Sequence, residues 1–255
     1  MVSRIVGSMR LTTLGGCGAW PAARQACSGY LLEHDGFLLL LDPGYATLPR
    51  LLEYVDAAEV DSVLVSHEHP DHCADLNPLL RARALRDEPA PPLPLYALAG
   101  ALDAVLALDH GMLAERRHTY DVHPFADGDE LRIGPFTIEV RLLPHFVPNA
   151  GFRIATPGGV LAYTGDCGPD AAVVDLARDA DVLLAEATYV DDAGESVGML
   201  STARDAARQA AEAHAARLVL THLWPGTDPD DAIRAARGHY AGPLDVACPG
   251  LVIEL

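Results

Sequence analysis

The chain has 255 residues, of which half are hydrophobic, and its formal net charge is −18 at pH 7. This length suffices for one large domain or two small domains with a buried core. A surface this acidic repels phosphate backbones, which argues against long nucleic acid as a partner. Small anions remain compatible with the sequence, because a bound metal ion would supply local positive charge.

The cysteine pattern indicates a reducing compartment. The five cysteines form no C-x-x-C pair, and we expect small buried thiols at positions 17, 27, 73, 167 and 248. The first ten residues lack the apolar core of a signal peptide, and the longest apolar stretch, residues 93–108, is too short to span a bilayer. We therefore expect a soluble, cytoplasmic protein without a membrane segment. Met9 is a candidate natural start, which makes residues 1–8 a candidate N-terminal extension.

The first half of the chain alternates short apolar runs with turn residues. A strand, "MRLTTLGG", is followed by a hairpin, "SGYLLEHDGFLLLLDPG", whose predicted turn is Asp35–Gly36. After the buried strand "SVLVS", Pro70 fits the first turn of a helix through "DHCADLNPLLRARAL", with an interruption near Pro78. A proline-rich connector at residues 87–94 leads to a short strand, "LYAL", and to a helical stretch near Gly100.

The second half predicts hairpins followed by strands and helices. The segments "DELRIGPFTIEVRLLPH" and "GFRIATPGGVLAYTGD" each form a predicted hairpin around glycine. A strand, a helix, a strand, a helix and a pair of strands follow in chain order: "VLLAEA", "STARDAARQAAEAHA", "RLVLTHL", "DPDDAIRAARGHY" and "LDVACPGLVIEL". No linker long enough to separate two domains is visible. We expect one α/β domain over residues 1–255, with two mixed sheets packed face to face and helices outside.

The segment H-x-H-x-D-H, at residues 67–72, concentrates metal-binding side chains directly after a buried strand. Side chains alternate along an extended chain, so His67 and His69 point the same way, whereas Asp71 and His72 begin the next helix. Imidazole nitrogen and carboxylate oxygen suit zinc, manganese or iron. Because no cysteine lies among these four side chains, we interpret the segment as part of a catalytic site and not as a structural thiolate site.

Three further candidate ligands each close an apolar strand. They are His145 after "VRLLP", Asp166 after "LAYTG" and His222 after "LVLT". Buried strand ends are rigid and would preserve the geometry of a site for two metals. The other six histidines lack such context, and we interpret them as surface or core residues, with His118 and His123 in "RRHTYDVHP" kept in reserve.

The order of these motifs resembles the metallo-β-lactamase superfamily over nearly the whole chain. The resemblance runs from the "GGCG" loop through "SGYLL", "LDPG" and "SHEHPDH" to "LPH", "TGD" and "THL". It is closest to the ribonuclease Z-like branch, to which some bacterial cyclic-nucleotide phosphodiesterases are related. The segments "NAGFRI", "LLAEATY" and "GMLST" resemble that branch's G-Y-R-I, H-E-A-T and G-H-L-S-T segments. The implied fold is an αββα sandwich with two metals at the upper edge of the sheets.

The resemblance also implies how the ligands divide and what they do. One metal would be held by His67, His69 and His145, the other by Asp71, His72 and His222, and Asp166 would bridge them. Two divalent ions, zinc first and manganese or iron as alternatives, would lower the pKa of a shared water. The resulting hydroxide would attack phosphorus or a carbonyl carbon, and Asp71 would orient it as well as bind metal.

The chain departs from the ribonuclease Z branch where that branch handles the leaving group. Met199 stands where the G-H-L-S-T segment has a histidine, which is the partner of the H-E-A-T glutamate. The glutamate remains as Glu186, a candidate catalytic residue, but Ala185 precedes it instead of a histidine. We also find no long glycine–proline arm to grip transfer RNA. Trp20, in the turn after the first strand, and Met199 are the candidate substrate-binding residues.

Four functions are compatible with these residues. The leading hypothesis is a dinuclear metal-dependent hydrolase of a small phosphodiester, such as a cyclic nucleotide. A lactone or ester hydrolase is the nearest alternative, and a mononuclear-iron sulfur dioxygenase or a non-catalytic metal-binding accessory protein belongs to another class. The complete set of seven candidate ligands favours a catalyst. A small-molecule substrate is the expected partner, and a homo-oligomer is a candidate assembly.

Overall fold

The structure is a computed structural model that describes residues 7–109 and 119–255. The described residues contain fourteen strands: β1 Arg10–Gly15, β2 Gly29–His34, β3 Phe37–Leu41, β4 Ser62–Leu64, β5 Leu93–Leu98, β6 Tyr120–Phe125, β7 Glu130–Ile133, β8 Phe136–Leu143, β9 Asn149–Thr156, β10 Gly159–Tyr163, β11 Val182–Glu186, β12 Leu218–Thr221, β13 Leu244–Val246 and β14 Val252–Glu254. The α-helices among them are α1 Thr47–Leu51, α2 Pro70–Cys73, α3 Leu76–Ala84, α4 Asp103–Leu106, α5 Ala171–Ala177, α6 Ala203–Glu212 and α7 Pro229–Arg237.

The strands form two mixed sheets of seven strands each. The first sheet has the order β14-β1-β2-β3-β4-β5-β6, and the second has the order β13-β12-β11-β10-β9-β8-β7. In the first sheet β3 to β6 are parallel and the other neighbours are antiparallel. In the second sheet β10 to β13 are parallel and the hairpin strands β7 to β10 are antiparallel. The two mixed sheets predicted from the sequence are confirmed.

Each sheet buries one face against the other sheet and one face against helices. In β3, Leu39 and Leu41 belong to the central core, whereas Leu38 and Leu40 pack towards α3 and its neighbours. This alternation follows from the period of two along a strand, and it explains why a strand buried on both faces reads as the continuous run "LLLL". An alanine-rich cluster packs α6 and α7 on the second sheet. The layers are therefore helix, sheet, sheet and helix.

The helical interruption lies at Asp75 and not at Pro78 as the sequence predicted. Pro78 sits in the first turn of α3, where its missing N–H has no intrahelical role. The Asp75 N–H donates to the carbonyl oxygen of Pro43 at 2.9 Å, and the Asp75 carboxylate accepts from Leu48 N–H at 2.8 Å. Tertiary contacts therefore place the break. Pro70 is the first residue of α2, as predicted.

Three other expectations need correction. The final two strands are present, but they do not pair, because β13 extends the second sheet and β14 extends the first. Helices α1 and α5 and strand β6 were not predicted from the sequence. Cys248 is exposed, whereas the other four cysteines are buried as expected, and all five are free thiols. Within residues 7–109 and 119–255, no helix is long and apolar enough to cross a membrane.

Candidate metal centre

The candidate ligands follow strands whose carboxyl ends meet at one edge of the molecule. In the second sheet β8 and β10 run in the same direction because each is antiparallel to β9, and β12 is parallel to them through β11. The residues after β4 in the first sheet reach the same edge, where Ala150 N–H donates to the carbonyl oxygen of Ser66 at 3.1 Å. The topology therefore gathers segments that lie far apart in sequence.

The first group of ligand atoms comes from His67, His69, His145 and Asp166, and these atoms lie within 4.8 Å of one another. His69 Nδ1 lies 3.0 Å from His67 Nε2 and 3.2 Å from His145 Nε2. Asp166 Oδ2 lies 3.8 Å from His67 Nε2 and 3.9 Å from His145 Nε2. Three imidazole nitrogens and one carboxylate oxygen are suitable ligands for a divalent cation.

The second group comes from Asp71, His72, His222 and Asp166, whose ligand atoms also lie within 4.8 Å of one another. His222 Nε2 lies 3.1 Å from both Asp71 Oδ2 and Asp166 Oδ2. His72 Nε2 lies 3.1 Å from Asp166 Oδ1. Asp166 is thus common to both groups, so its carboxylate stands where two ions could share it.

Hydrogen bonds at the outer nitrogens direct the inner nitrogens towards the centre. His72 Nδ1–H donates to Asp42 Oδ2 at 2.8 Å, and His145 Nδ1–H donates to the carbonyl oxygen of Met199 at 3.1 Å. Because these oxygens accept and do not donate, Nδ1 carries a proton in both rings, which leaves Nε2 as the nitrogen available to a metal ion. Two further rings follow the same pattern, with Nδ1 2.9 Å from a hydroxyl oxygen: His67 beside Ser66, and His222 beside Thr188.

Two buried polar atoms at the centre fit a bound cation. His72 Nε2 and Asp166 Oδ1 lie 3.1 Å apart, but neither makes a hydrogen bond of acceptable geometry to the other or to another described residue. Burial opposes a charge on Asp166, but the neighbouring His222 and His72 hold the pKa of its carboxyl well below the usual range. An ionised carboxylate buried beside imidazole nitrogens provides ligands of the kind that a metal ion binds. The residues present therefore fit a metal site.

Asp42 supports the centre, although it was not among the site residues predicted from the sequence. It directly follows β3, is fully buried and accepts hydrogen bonds from Ser66 N–H, Ser66 Oγ–H, His72 Nδ1–H and Tyr163 Oη–H. A carboxylate on the outer nitrogen of a metal-binding histidine fixes the ring and raises the basicity of the inner nitrogen. The available signal was an acid that closes the apolar run "LLLL", as Asp166 closes "LAYTG".

Glu186 is joined to the centre through Thr188. The Glu186 carboxylate is 1% exposed and accepts from Ser201 N–H and from the Thr188 hydroxyl, each at 2.8 Å. Thr188 Oγ1 accepts in turn from His222 Nδ1–H. Burial and the charge of Asp166 raise the pKa of Glu186 well above its usual range. Ser201 and Thr188, and not a residue at position 199, are therefore the hydrogen-bond partners of Glu186.

The two predicted substrate residues lie beside different halves of the centre. Trp20 is 48% exposed and follows Ala19, whose N–H donates to Asp71 Oδ2 at 2.7 Å. Met199 is 39% exposed, and its carbonyl oxygen binds His145. Of the two histidines kept in reserve, His123 lies exposed on β6, where it stacks on Tyr96, and His118 lies outside the described residues.

The "GGCG" and "LDPG" motifs each contain a glycine, Gly18 and Gly44, at a position where a side chain would collide with a neighbouring segment. A Cβ atom on Gly18 would lie 2.8 Å from the ring of His222, and one on Gly44 would lie 1.8 Å from the carbonyl oxygen of Asp71. Neither position leaves room for a side chain. Both turns therefore pack directly against segments that carry the candidate ligands.

Comparisons with known proteins agree with this fold and cluster. Residues 38–223 match the family model of the β-lactamase superfamily domain, and the chain belongs to this family. It is similar to the probable metallo-hydrolase YhfI of Bacillus subtilis, with 32% identity over 250 residues that cover 96% of this chain and 100% of YhfI. The crystal structure of YhfI has a TM-score of 0.88 to this chain and covers 97% of it, with 100% of the YhfI chain matched.

Two further relatives widen the comparison. The uncharacterized protein Rv1339 of Mycobacterium tuberculosis is 35% identical over 247 residues, which cover 94% of this chain and 89% of Rv1339. The ribonuclease Z of Myxococcus xanthus is 28% identical over 301 residues, which cover 97% of this chain and 98% of that protein. The chain is accordingly a metallo-hydrolase of the β-lactamase superfamily with ribonuclease Z-like relatives and a histidine–aspartate cluster able to bind metal.

Proposed function

We propose that the chain is a dinuclear metal-dependent hydrolase of a small phosphodiester, with a cyclic nucleotide as the first candidate. The observation that carries this proposal is the position of Asp166, whose carboxylate belongs to both groups of ligand atoms. A single-metal protein has no need for a buried carboxylate shared by two groups. Zinc is the first candidate metal, and manganese and iron are the alternatives.

The proposal assigns one ion to His67, His69 and His145, the other to Asp71, His72 and His222, and gives Asp166 to both. Two such ions, when bound, would supply Lewis acidity and a water of lowered pKa. The chain's own residues hold this geometry rigidly, since the outer nitrogens of His72 and His145 are bound by protein oxygens.

Asp71 is the proposed catalytic carboxylate. It is 6% exposed, and its Oδ2 accepts from Ala19 N–H and lies beside His222 Nε2. Burial opposes its charge, but His72 and His222 lower the pKa of the Asp71 carboxyl below its usual value. We assign to its other oxygen, Oδ1, the hydrogen bond that orients the attacking water.

Glu186 receives a positioning role in place of the catalytic role expected from the sequence. Both of its contacts lie within the protein, to Ser201 and Thr188, and Thr188 holds His222. A group this deeply buried orients a ligand ring and does not reach the leaving group directly. The proton that the alkoxide leaving group of a cyclic nucleotide requires must therefore come from water at the site, whereas a phenolate leaving group needs little protonation.

Two features favour a small phosphodiester. A similar protein is a ribonuclease, whose substrates are phosphodiesters. The chain has 36 acidic and 18 basic residues, which opposes binding of a long RNA backbone. A small phosphodiester combines the chemistry of such relatives with the charge of this chain.

The test is a substrate screen on protein loaded separately with zinc, manganese or iron. The substrates are bis-p-nitrophenyl phosphate, cyclic nucleotides, lactones and a persulfide with oxygen uptake recorded. We expect phosphodiester hydrolysis that is lost in Asp166→Asn and retained in Asp61→Asn. Asp61 lies directly before β4, and its carboxylate accepts a hydrogen bond from Leu38 N–H in β3. Faster lactone turnover, oxygen consumption, or no turnover by fully loaded protein would each reject the phosphodiesterase and favour one alternative.

A further inference from the structure

We propose that Trp20, Tyr189 and Trp224 form an aromatic platform that stacks the base of a nucleoside phosphate beside the metal centre, with the Trp20 indole as the contact surface. This inference rests on the proposed function and narrows its substrate class. It adds Tyr189 and Trp224 to the substrate site, and it gives Trp20 a defined partner: the planar ring of a nucleobase.

The three rings hold one another in place. Trp224 is central, with its plane 17° from that of Tyr189 at a centroid distance of 6.0 Å. Trp20 meets Trp224 at 80° and 5.0 Å, which is edge-to-face packing. Trp20 is nevertheless 48% exposed and Trp224 39% exposed. Packing on one side and exposure on the other leave an oriented indole available to a ligand.

The loop that carries Trp20 is fixed to the centre. Ala19 N–H donates to Asp71 Oδ2 at 2.7 Å, so the residue directly before Trp20 contacts a candidate ligand. Gly18 N–H donates to the carbonyl oxygen of Leu223 at 2.9 Å, which joins this loop to the segment after β12. Trp20 therefore lies beside the second group of ligands, not on a remote surface.

The other two rings are anchored to the same group of ligands. Tyr189 directly follows Thr188, whose hydroxyl oxygen accepts from His222 Nδ1–H. Trp224 comes two residues after His222, and its N–H donates to the carbonyl oxygen of Thr188 at 3.1 Å. Each aromatic residue is therefore a near neighbour in sequence of the site: Trp20 follows a residue that contacts Asp71, Tyr189 follows a residue that contacts His222, and Trp224 comes two residues after His222.

A nucleobase matches the chemistry of this platform better than an acyl chain does. Aromatic rings gain from stacking a planar π-system in addition to burying apolar area. Stacking requires no positive charge, which suits a chain of net charge −18. The phosphate of the same ligand would face the metal centre, where the chain offers its own site for cations.

The test compares adenosine 5′-monophosphate with ribose 5-phosphate, which has a hydroxyl group in place of the base. The chain has two tryptophans, both in the platform, so intrinsic tryptophan fluorescence of the metal-loaded protein reports on the platform alone. We expect adenosine 5′-monophosphate to quench this fluorescence and to bind about ten-fold more tightly than ribose 5-phosphate, as stacking on one aromatic side chain supplies.

Three variants separate stacking from a general change in the fold. Trp20→Ala should abolish the preference for the base, with Trp224 still reporting, whereas Trp20→Phe should retain most of it. Leu85→Ala removes an exposed hydrophobic side chain at the end of α3 and should behave as wild type. Equal affinities for the two ligands in the wild type, or a preference that survives in Trp20→Ala, would overturn the platform.

Hydrolysis of bis-p-nitrophenyl phosphate, measured on the same samples, keeps the two proposals distinguishable. Hydrolysis without a base preference refutes the platform and supports the proposed phosphodiesterase. A base preference without hydrolysis refutes the phosphodiesterase and supports the platform as a nucleotide-binding surface.

Discussion

Replacing Asp42 by asparagine should weaken metal binding while the fold persists. Asp42 Oδ2 accepts from Ser66 Oγ, His72 Nδ1 and Tyr163 Oη at 2.6 to 2.8 Å, and Oδ1 accepts from Ser66 N at 2.7 Å. Asparagine has the same shape and tolerates the left-handed φ of 48° at this position. The amide nitrogen of asparagine cannot accept a hydrogen bond. In the orientation that costs less, the amide oxygen takes the position of Oδ2, and the amide nitrogen then faces the N–H of Ser66.

The magnitude follows from these contacts. One buried donor without an acceptor costs about 1–3 kcal/mol in the free energy of unfolding. Loss of the anionic partner of a metal-binding histidine typically costs about 10–100-fold in metal affinity. We therefore expect Asp42→Asn to fold with reduced stability and to bind the ion at His72 about 10–100-fold more weakly.

The assay is a competition titration with a chromophoric chelator, combined with chemical unfolding of the metal-free protein. Asp61→Asn is the matched control, because its carboxylate accepts one backbone hydrogen bond from Leu38 in the same sheet. Wild-type metal affinity in a folded Asp42→Asn protein would refute the supporting role of Asp42.

Three other outcomes follow from the same geometry. Asp166→Asn should lose at least one ion and most of kcat, because a neutral amide bridges two cations poorly; near wild-type turnover would assign Asp166 a structural role. Met199→His should accelerate hydrolysis of phosphodiesters with poor leaving groups more than hydrolysis of p-nitrophenyl substrates, because general acid catalysis is worth ~10²–10⁴ in rate and a thioether supplies none. An equal effect on kcat/KM for both substrate types would show that Met199 shapes the pocket. In the metal-free protein, burial lowers the pKa of the His72 imidazole, but the charges of Asp166 and Asp71 outweigh this effect and raise the pKa well above the usual range. Metal binding should therefore release protons and strengthen as pH rises through that pKa, and calorimetry that finds affinity independent of pH would contradict this.

Hairpins and strand ends were predictable because their signals are local. Asp35 and Gly36 adopt φ values of 49° and 80°, as the predicted two-residue turn between β2 and β3 requires. The seven candidate ligands were also predictable, since each follows an apolar run or opens a helix. Their side chains converge in the structure, as the pattern predicted, and metal analysis tests the proposal that they bind ions.

Features that depend on tertiary contacts were not predictable. The partners of Asp42 come from positions 66, 72 and 163, and no local pattern joins them. The last two strands have only three residues each and carry no local signal of the sheet that they join, yet β13 extends the second sheet and β14 extends the first. The contact between Trp20 and Trp224 likewise joins residues 204 positions apart (224 minus 20), and only the pairing of their loops brings the rings together.

The number of metal ions per chain tests the dinuclear centre most directly. Elemental analysis of the purified protein should find two zinc, manganese or iron ions per chain, one for each group of ligand atoms. His67→Ala and His72→Ala, which remove ligands from different groups, should each lower that content while remaining folded. One ion or none in the fully loaded wild type, or full occupancy in both variants, would contradict a shared two-metal site at Asp166.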